Sequence, residues 1–347
     1  MSLVTKGQLL SLQYLRAVAA IMVVLHHARN PQPWLFNPME HFQSFAWGVD
    51  IFFLISGFIM YVAARHESLS DFLVRRLIRV VPLYWVATLA FVLVSTKLQP
   101  WTISADDGAR IIKSMLFIPH SNPRENGEIF PYLIPGWTLN YEMFFYAIFF
   151  VGLLVGRLAW VVSLVMMALL LVGGALNPGD VILRAYTRPY ISEFLCGFWV
   201  GWLYVRYPIR CGWSVCLYLG ALGLIFVQYA VRPEYRFAAR ALLATMILVG
   251  ALAHDQWLRQ SKFLRDIGDA SYSIYLSHGV FSLPLAKLIW RHVPIEGWGQ
   301  FIGWLVLCLV ISSYLGVLLY KHFEKPVLAW SKAKWEARKA ARTLAGC

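Results

Sequence analysis

The chain has 347 residues, of which 59% are hydrophobic and only 14% charged, and its mean hydropathy is +0.59. Ordinary soluble domains carry about 25% charged residues, so this composition argues against a soluble enzyme and predicts an integral membrane protein. The net charge of +13 is explained by basic loops on one side of a membrane and by contact with anionic lipids. It therefore does not indicate nucleic-acid binding.

Apolar runs of about 20 residues, the length that crosses a bilayer, recur along the chain. They predict an all-α bundle of about ten transmembrane helices, near residues 9–28, 46–64, 80–96, 137–156, 158–174, 190–205, 212–230, 238–253, 271–289 and 301–320. The shorter run 111–118 is predicted to be a surface or re-entrant piece. Residues 8–326 are expected to form one transmembrane domain, followed by a basic cytoplasmic tail at 327–347.

Lysine and arginine set the expected orientation. With the N-terminus inside, more than half of the basic residues fall on the inner side, and acidic residues dilute those in the long loop 97–136. The positive-inside rule then predicts that both termini are cytoplasmic. Arg16 interrupts the first apolar stretch, which favours an uncleaved helix over a signal peptide. The five cysteines lack metal-ligand spacing, so neither a metal site nor a disulfide framework is predicted.

Ionisable residues at membrane depth are expensive, which makes each one a functional candidate. In the first helix Arg16 and His27 are eleven residues apart, within about 20° of three full turns and about 16 Å along the axis. Both are expected to point from one stripe into the bundle. In the alternative, Arg16 snorkels inward and both histidines are interfacial. The interfacial interpretation is the favoured one for His26, which lies about 100° around the helix from His27.

The second helix brings a carboxylate in from the same side of the membrane. Asp50 is expected at the depth of His27, where it would fix the imidazole tautomer and stabilise its protonated form, as a general base requires. An N-capping role for Asp50 is the alternative and is compatible with the first. Deeper in this helix, Ser56 and Gly57 are expected to serve close helix packing.

The fourth helix also enters from outside and carries Glu142, with Tyr146 one turn below on the same face. Glu142 is predicted to be a third polar group in the outer half of the membrane. Glu193 reaches a similar level and has two interpretations, a further site residue or an interfacial charge. These residues predict a polar site facing the outer leaflet.

The inner side is basic. Arg75, Arg76 and Arg79 precede the predicted third helix, and the i, i+3 pair Arg76 and Arg79 forms one guanidinium face beside a helix N-terminus. Such a face suits phosphate groups, although anchoring at the inner membrane surface alone also explains three arginines.

In the ninth helix one stripe carries three polar residues, Ser271, Tyr275 and His278. For His278 a packed, satisfied histidine and a functional one remain equally good interpretations. Tyr320 and Glu324 at the end of the tenth helix are weaker candidates.

Six segments, taken in order, resemble a known family. They read LRAVAAIMVVLHH, WGVDIFFLISGF, FLVRRLIRVVPLYW, WTLNYEMFFY, SYSIYLSH and YKHFEKP. On these segments the chain resembles the membrane-bound acyltransferase-3 family, whose members move acetyl or related acyl groups onto extracytoplasmic glycans and lipids. Its compact length resembles the branch that acetylates exopolysaccharides.

The resemblance implies roles for the matching residues. Arg16 and His27 match the family's element of an arginine and a histidine separated by ten residues, with His27 as catalytic base or acyl relay. Asp50 and Glu142 match its acidic positions in the second and fourth helices, which places all four among the expected catalytic residues.

The family's Arg-x-x-Arg element, associated with the acyl-CoA end, matches Arg76 and Arg79, and Arg75 is expected to assist them. The implied co-substrate is acetyl-CoA or another acyl-CoA. A polysaccharide or lipid-linked sugar is the implied acceptor, and the polysaccharide biosynthesis machinery is an expected partner. The bacterial inner membrane is the implied location.

Two other classes of function remain as alternatives. A secondary transporter that exports a glycan precursor would be favoured by inverted repeats or paired broken helices, which the sequence does not show. A non-catalytic assembly subunit would not require the Arg16–His27 stripe.

Overall fold

The computed structural model describes residues 9–29, 36–98, 104–176 and 178–345. Within these ranges it is all-helical, and its only β-type pairing is an isolated bridge between Ser121 and Ile129. The helices are α1 (Leu10–Ala28), α2 (Gly48–Ile59), α3 (Leu69–Leu98), α4 (Ala105–Met115), α5 (Trp137–Val155), α6 (Leu158–Leu176), α7 (Val181–Tyr186), α8 (Ile191–Arg206), α9 (Val215–Ala230), α10 (Arg236–His254), α11 (Lys262–Asp269), α12 (Ser271–Ser277), α13 (Leu283–Trp290), α14 (Gly297–Leu319) and α15 (Lys325–Ala345).

Three π-helical turns continue or join these helices in the described part of the chain. Met60–Ala64 extends α2, His278–Ser282 joins α12 to α13, and Tyr320–Glu324 joins α14 to α15. Single π turns are rare and are often found at functional sites.

Eight helical segments in the described ranges are long and apolar enough to cross a membrane. The prediction of an all-α membrane protein is therefore confirmed. Two further predicted spans are helical but are not among these eight, because α8 has only 16 residues and the segment 271–290 is divided by a π turn. The count of ten and the cytoplasmic termini stay predictions.

The third helix begins earlier than expected. Hydropathy predicts a span over 80–96, whereas α3 covers Leu69–Leu98 and continues through Pro82. Its 30 residues extend about 45 Å, more than the roughly 30 Å of a hydrocarbon core. The predicted helix N-terminus beside Arg76 and Arg79 was wrong, because the basic run marks the edge of the apolar stretch and not the edge of the helix.

The run 111–118 overlaps α4, which begins with a capping box between Ser104 and Asp107. Ile112 and Leu116 are exposed while Ser114 is buried. The exposed apolar face agrees with a piece lying at a surface.

Glycines allow α2 and α8 to approach at backbone distance. A Cβ atom on Gly57 would lie 2.1 Å from the carbonyl oxygen of Phe194, and one on Gly197 would lie 2.0 Å from that of Leu54. Small residues permit such close packing in membrane bundles. The packing role expected for Gly57 is therefore confirmed.

The basic tail continues the last span as a helix. In α15, the Trp335 indole N–H donates to Asp71 at 2.8 Å and Lys339 Nζ lies 2.6 Å from the same carboxylate, which docks the tail on the start of α3. The division into domains at 326 stays a prediction, and residues 8, 346 and 347 lie outside the described ranges.

We expect Gly197→Ala to lower the melting temperature of the detergent-solubilised protein by several degrees. The added methyl group has no room against the Leu54 carbonyl, and overpacking of this kind costs about 1–3 kcal/mol. Gly174→Ala is the matched control, because a Cβ atom there meets nothing within 4 Å and alanine favours helix. A melting temperature of the Gly197 variant equal to that of the wild type would contradict the close packing of α2 against α8.

Candidate functional site

Helices α3 and α5 are antiparallel, and one contact fixes their register. A Cβ atom on Gly136, just before α5, would lie 2.5 Å from the ring of Tyr84 on α3. Arg79 precedes Tyr84 by between one and two turns, and Glu142 follows Gly136 by a similar distance. The two charged side chains therefore lie at the same level of the bundle.

They line a cavity of about 180 Å³ between α1, α2, α3, α5 and α12. Arg16, Arg76, Arg79 and Glu142 all contribute to its wall. The structure thus brings together four of the residues predicted from sequence, and the lining carries three guanidinium groups against one carboxylate.

Hydrogen bonds hold the polar wall in place. Arg16 Nη2 donates to Ser271 Oγ at 2.9 Å, and Ser56 Oγ donates to Glu142 Oε1 at 3.1 Å. The Tyr146 hydroxyl donates to the same Glu142 oxygen. Ser56 therefore faces the cavity, which corrects the expectation that it only packs.

A second buried carboxylate is held near the residue that anchors Arg16. Glu324 accepts a hydrogen bond from Ser273, two residues after Ser271, which accepts from Arg16. It ends the π turn Tyr320–Glu324. Sequence reasoning gave this residue little weight, although a carboxylate at the end of an apolar span was a usable signal.

His27 pairs with another histidine. His27 Nδ1 lies 2.9 Å from the Val23 carbonyl oxygen and 3.3 Å from His278 Nε2, and the ring centroids are 4.8 Å apart. His278 is fully buried, whereas His27 is exposed. Arg16 and His27 both contact the 271–278 segment, so the predicted stripe on α1 is confirmed.

These contacts assign the proton on each neutral ring. His278 Nδ1 lies 2.6 Å from the Tyr275 carbonyl oxygen, which can only accept, so Nδ1 carries the proton and Nε2 is an acceptor. His27 Nδ1 then faces two acceptors, Val23 O and His278 Nε2, and carries the proton as well. The Nε2 lone pair of the exposed His27 imidazole has no hydrogen-bond partner among the described residues.

The cavity reaches Tyr275, which lies between it and His278. The Tyr275 hydroxyl is 3.0 Å from both Thr138 Oγ1 and the Pro135 carbonyl oxygen. The Tyr275 ring centroid is 6.0 Å from that of His278. On α2 the lining runs from Val49 to Met60, about 16 Å along the axis.

Asp50 is not part of the wall of this cavity. Its Oδ1 is 3.7 Å from Arg240 Nε, and no hydrogen bond joins it to His27 in the described structure. A Cβ atom on Gly48 would lie 2.5 Å from the Ala19 carbonyl oxygen, so α2 begins level with the middle of α1. The predicted pairing of Asp50 with His27 was wrong because it assumed that the two helices meet end to end.

The predicted outer cluster of His27, Asp50 and Glu142 is therefore not formed. Glu193 is fully buried and faces Asp50, so it is not an interfacial charge. Arg240 was missed by sequence reasoning, although an arginine one turn inside the apolar helix α10 was a usable signal.

Two other candidates stay outside the cavity wall. Arg75 is 48% exposed and forms an ion pair with Glu67 at 3.1 Å. His26 Nδ1 accepts a hydrogen bond from Arg29 at 3.4 Å. Among the described residues, no group of three or more His, Cys, Asp or Glu side chains could hold a metal ion.

Comparison with known proteins identifies the family. A family model described as an acyltransferase domain, that of the acyltransferase-3 family, matches residues 9–321. The chain belongs to this family. The acyltransferase is 33% identical to the exopolysaccharide production protein ExoZ of Rhizobium meliloti (strain 1021) over 325 residues, or 88% of this chain and 96% of that relative. No solved structure matches it. The predicted family membership and acyl-transfer chemistry are confirmed.

A double-mutant cycle tests the position of Asp50 in the acyltransferase. Arg240→Gln leaves a buried carboxylate without its ion pair and is expected to cost about 3 kcal/mol of unfolding free energy. Adding Asp50→Asn should recover at least about 1 kcal/mol of that loss, the coupling expected of residues in contact.

The matched control cycle combines Asp50→Asn with His27→Ala. Because these side chains are not in contact, their effects on unfolding should add to within about 0.5 kcal/mol. Strong coupling in the His27 cycle and none in the Arg240 cycle would contradict the structure.

Proposed function

We propose that this enzyme moves an acyl group, most simply acetyl, from cytosolic acyl-CoA to a hydroxyl of a cell-surface or exported polysaccharide. The observation that carries the proposal is an arginine-rich cavity that reaches Tyr275, whose ring neighbours His278, the hydrogen-bond partner of His27. Family membership supplies the acyl chemistry, and the similarity to the exopolysaccharide production protein ExoZ supports a polysaccharide acceptor.

The cavity suits the slender end of the donor. Its lining runs about 16 Å along α2, a length that suits a slender acyl-pantetheine chain. The donor phosphates would then lie at the arginine end, where Arg76 and Arg79 offer fixed guanidinium groups for charge-assisted hydrogen bonds. Arg75 points away from this wall and is not part of the proposed donor site.

His27 is the proposed base. Its Nε2 removes the proton from an acceptor hydroxyl as that oxygen attacks the thioester carbonyl carbon. The carbon–sulfur bond then breaks, the electron pair leaves with sulfur, and the proton on His27 passes to the thiolate. Val23 O and His278 Nε2 accept hydrogen bonds from Nδ1 and so stabilise the imidazolium, the role first expected of Asp50.

The remaining polar groups are assigned by position. Arg16, tethered to Ser271 inside the cavity, is proposed to hold the donor arm near the thioester. Glu142 is proposed to offset the charge of the arginines in the same wall, and Tyr146, which donates to it, lies beneath the Arg76 guanidinium. The proposed setting is a bacterial inner membrane, with the arginine end of the cavity facing the cytoplasm and His27 facing outward.

We expect His27→Ala to reduce acyl transfer by about 100-fold to 10,000-fold, the usual contribution of a positioned base. The assay follows thiol release in membranes given acetyl-CoA and extracted polysaccharide, and mass spectrometry detects the acyl mass lost from the polysaccharide of a deletion strain. His292→Ala, an exposed histidine near the same end of the bundle, serves as control. Wild-type transfer by the His27 variant would overturn the mechanism.

Arginine substitutions test the donor site. Arg76→Ala and Arg79→Ala should each raise KM for acetyl-CoA about tenfold or more, since each removes charge-assisted hydrogen bonds to phosphate. Arg75→Ala should stay near wild type. With acetyl-pantetheine, which has no phosphate, all three variants should match the wild type. A loss with acetyl-pantetheine equal to that with acetyl-CoA would show that the arginines do not bind phosphate.

A further inference from the structure

A second cavity lies at the His27 end of the bundle. It has a volume of about 320 Å³ and is formed by the segment 41–47, the end of α9 and the start of α10. No residue of its wall belongs to the first cavity. Its wall includes Gln43, Trp47, Gln228, Tyr229, Arg236 and Arg240.

The wall of this second cavity is cationic. Arg236 and Arg240 are one turn apart on the same face of α10, an arrangement in which like charges repel. Asp50 Oδ1 forms an ion pair with Arg240 Nε at 3.7 Å. Arg236 donates its Nε–H to the Val231 carbonyl oxygen at 2.9 Å, and within the described ranges no carboxylate forms an ion pair with it. The arrangement therefore favours an anionic ligand.

The other wall residues suit a sugar. Gln228 Oε1 accepts the Gln43 backbone N–H at 3.0 Å, which fixes the side-chain amide, and its buried Nε2 has no hydrogen-bond partner among the described residues. Trp47 is buried while the ring of Tyr229 is 67% exposed. A fixed amide donor and rings with a polar edge fit a ligand that has both hydroxyl groups and apolar C–H faces.

Side-chain contacts connect this cavity to His27. Gln43 Oε1 accepts a hydrogen bond from Arg29 Nη2 at 2.7 Å, and Arg29 donates to His26 Nδ1 at 3.4 Å. The His26 and His27 ring centroids are 5.1 Å apart. These contacts place the second cavity and His27 at the same end of the bundle.

We propose that the second cavity is an acceptor subsite for a carboxylate-bearing sugar unit, held by Arg236 and Arg240 while a neighbouring unit presents its hydroxyl to His27. This inference rests on the proposed function and deepens it. It also gives Asp50 a positioning role, since its carboxylate holds Arg240 at the cavity wall.

Direct binding tests the proposal without the donor. The purified full-length enzyme in neutral detergent is titrated with two oligosaccharides of equal length, one containing glucuronic acid and one containing glucose in its place. The glucuronate probe should bind about 10-fold to 100-fold more tightly, the range expected for hydrogen bonds to a charged group. Arg236→Ala should remove that difference and leave glucose-probe binding unchanged.

Arg232→Ala is the matched control, because Arg232 is exposed nearby and lies outside the wall. Asp50→Asn should weaken glucuronate binding less than Arg236→Ala does. Equal binding of the two probes by the wild type, or unchanged binding by Arg236→Ala, would overturn the proposal. Binding of phosphatidylglycerol in mixed micelles, lost in Arg236→Ala and with no glucuronate binding, would assign the cavity to a lipid headgroup instead.

The two proposals fail separately. Loss of charge selectivity with His27-dependent thiol release intact would reject the subsite alone. Selective glucuronate binding with no dependence of acyl transfer on His27 would reject the catalytic proposal and leave a glycan-binding site.

Discussion

Charged side chains inside an apolar bundle must be matched by opposite charge or by hydrogen bonds, because hydrocarbon supplies neither. In this enzyme Arg16 donates to Ser271, and Arg16 and Arg79 share a cavity wall with Glu142, on helices far apart in sequence. The bundle therefore has to hold its helices at the depths where these groups meet. The arginines that satisfy this constraint also form the wall that the donor phosphates are proposed to contact, so stability and recognition depend on the same residues.

Much of this arrangement can be predicted from sequence, because apolar runs and intramembrane charges are local properties. The helical character of each predicted span follows from its length and composition. The stripe of Ser271, Tyr275 and His278 follows from helical periodicity, and each of the three contacts the site, at Arg16, Thr138 and His27 respectively. Family resemblance adds roles but no distances.

Depth and register could not be predicted in the same way. The level of α2 beside α1 is set by the fit of Gly48 against Ala19, a contact between segments on either side of a loop. Hydropathy shows where a span becomes polar and not where its helix starts, which is why the early start of α3 was missed. Ion-pair partners such as Asp50 and Arg240 are distant in sequence, and only the packed bundle brings them together.

The last span and the tail form one continuous helix, and this continuity has a consequence for Glu324. Gly297–Ala341 is one uninterrupted helical segment of 45 residues, about 68 Å long, and the π turn that carries Glu324 lies within it. The turn sets the direction in which α15 leaves the bundle and also sets the position of Glu324. The tail helix and Glu324 thus belong to one continuous helical segment, so a displacement of α15 is expected to shift this carboxylate.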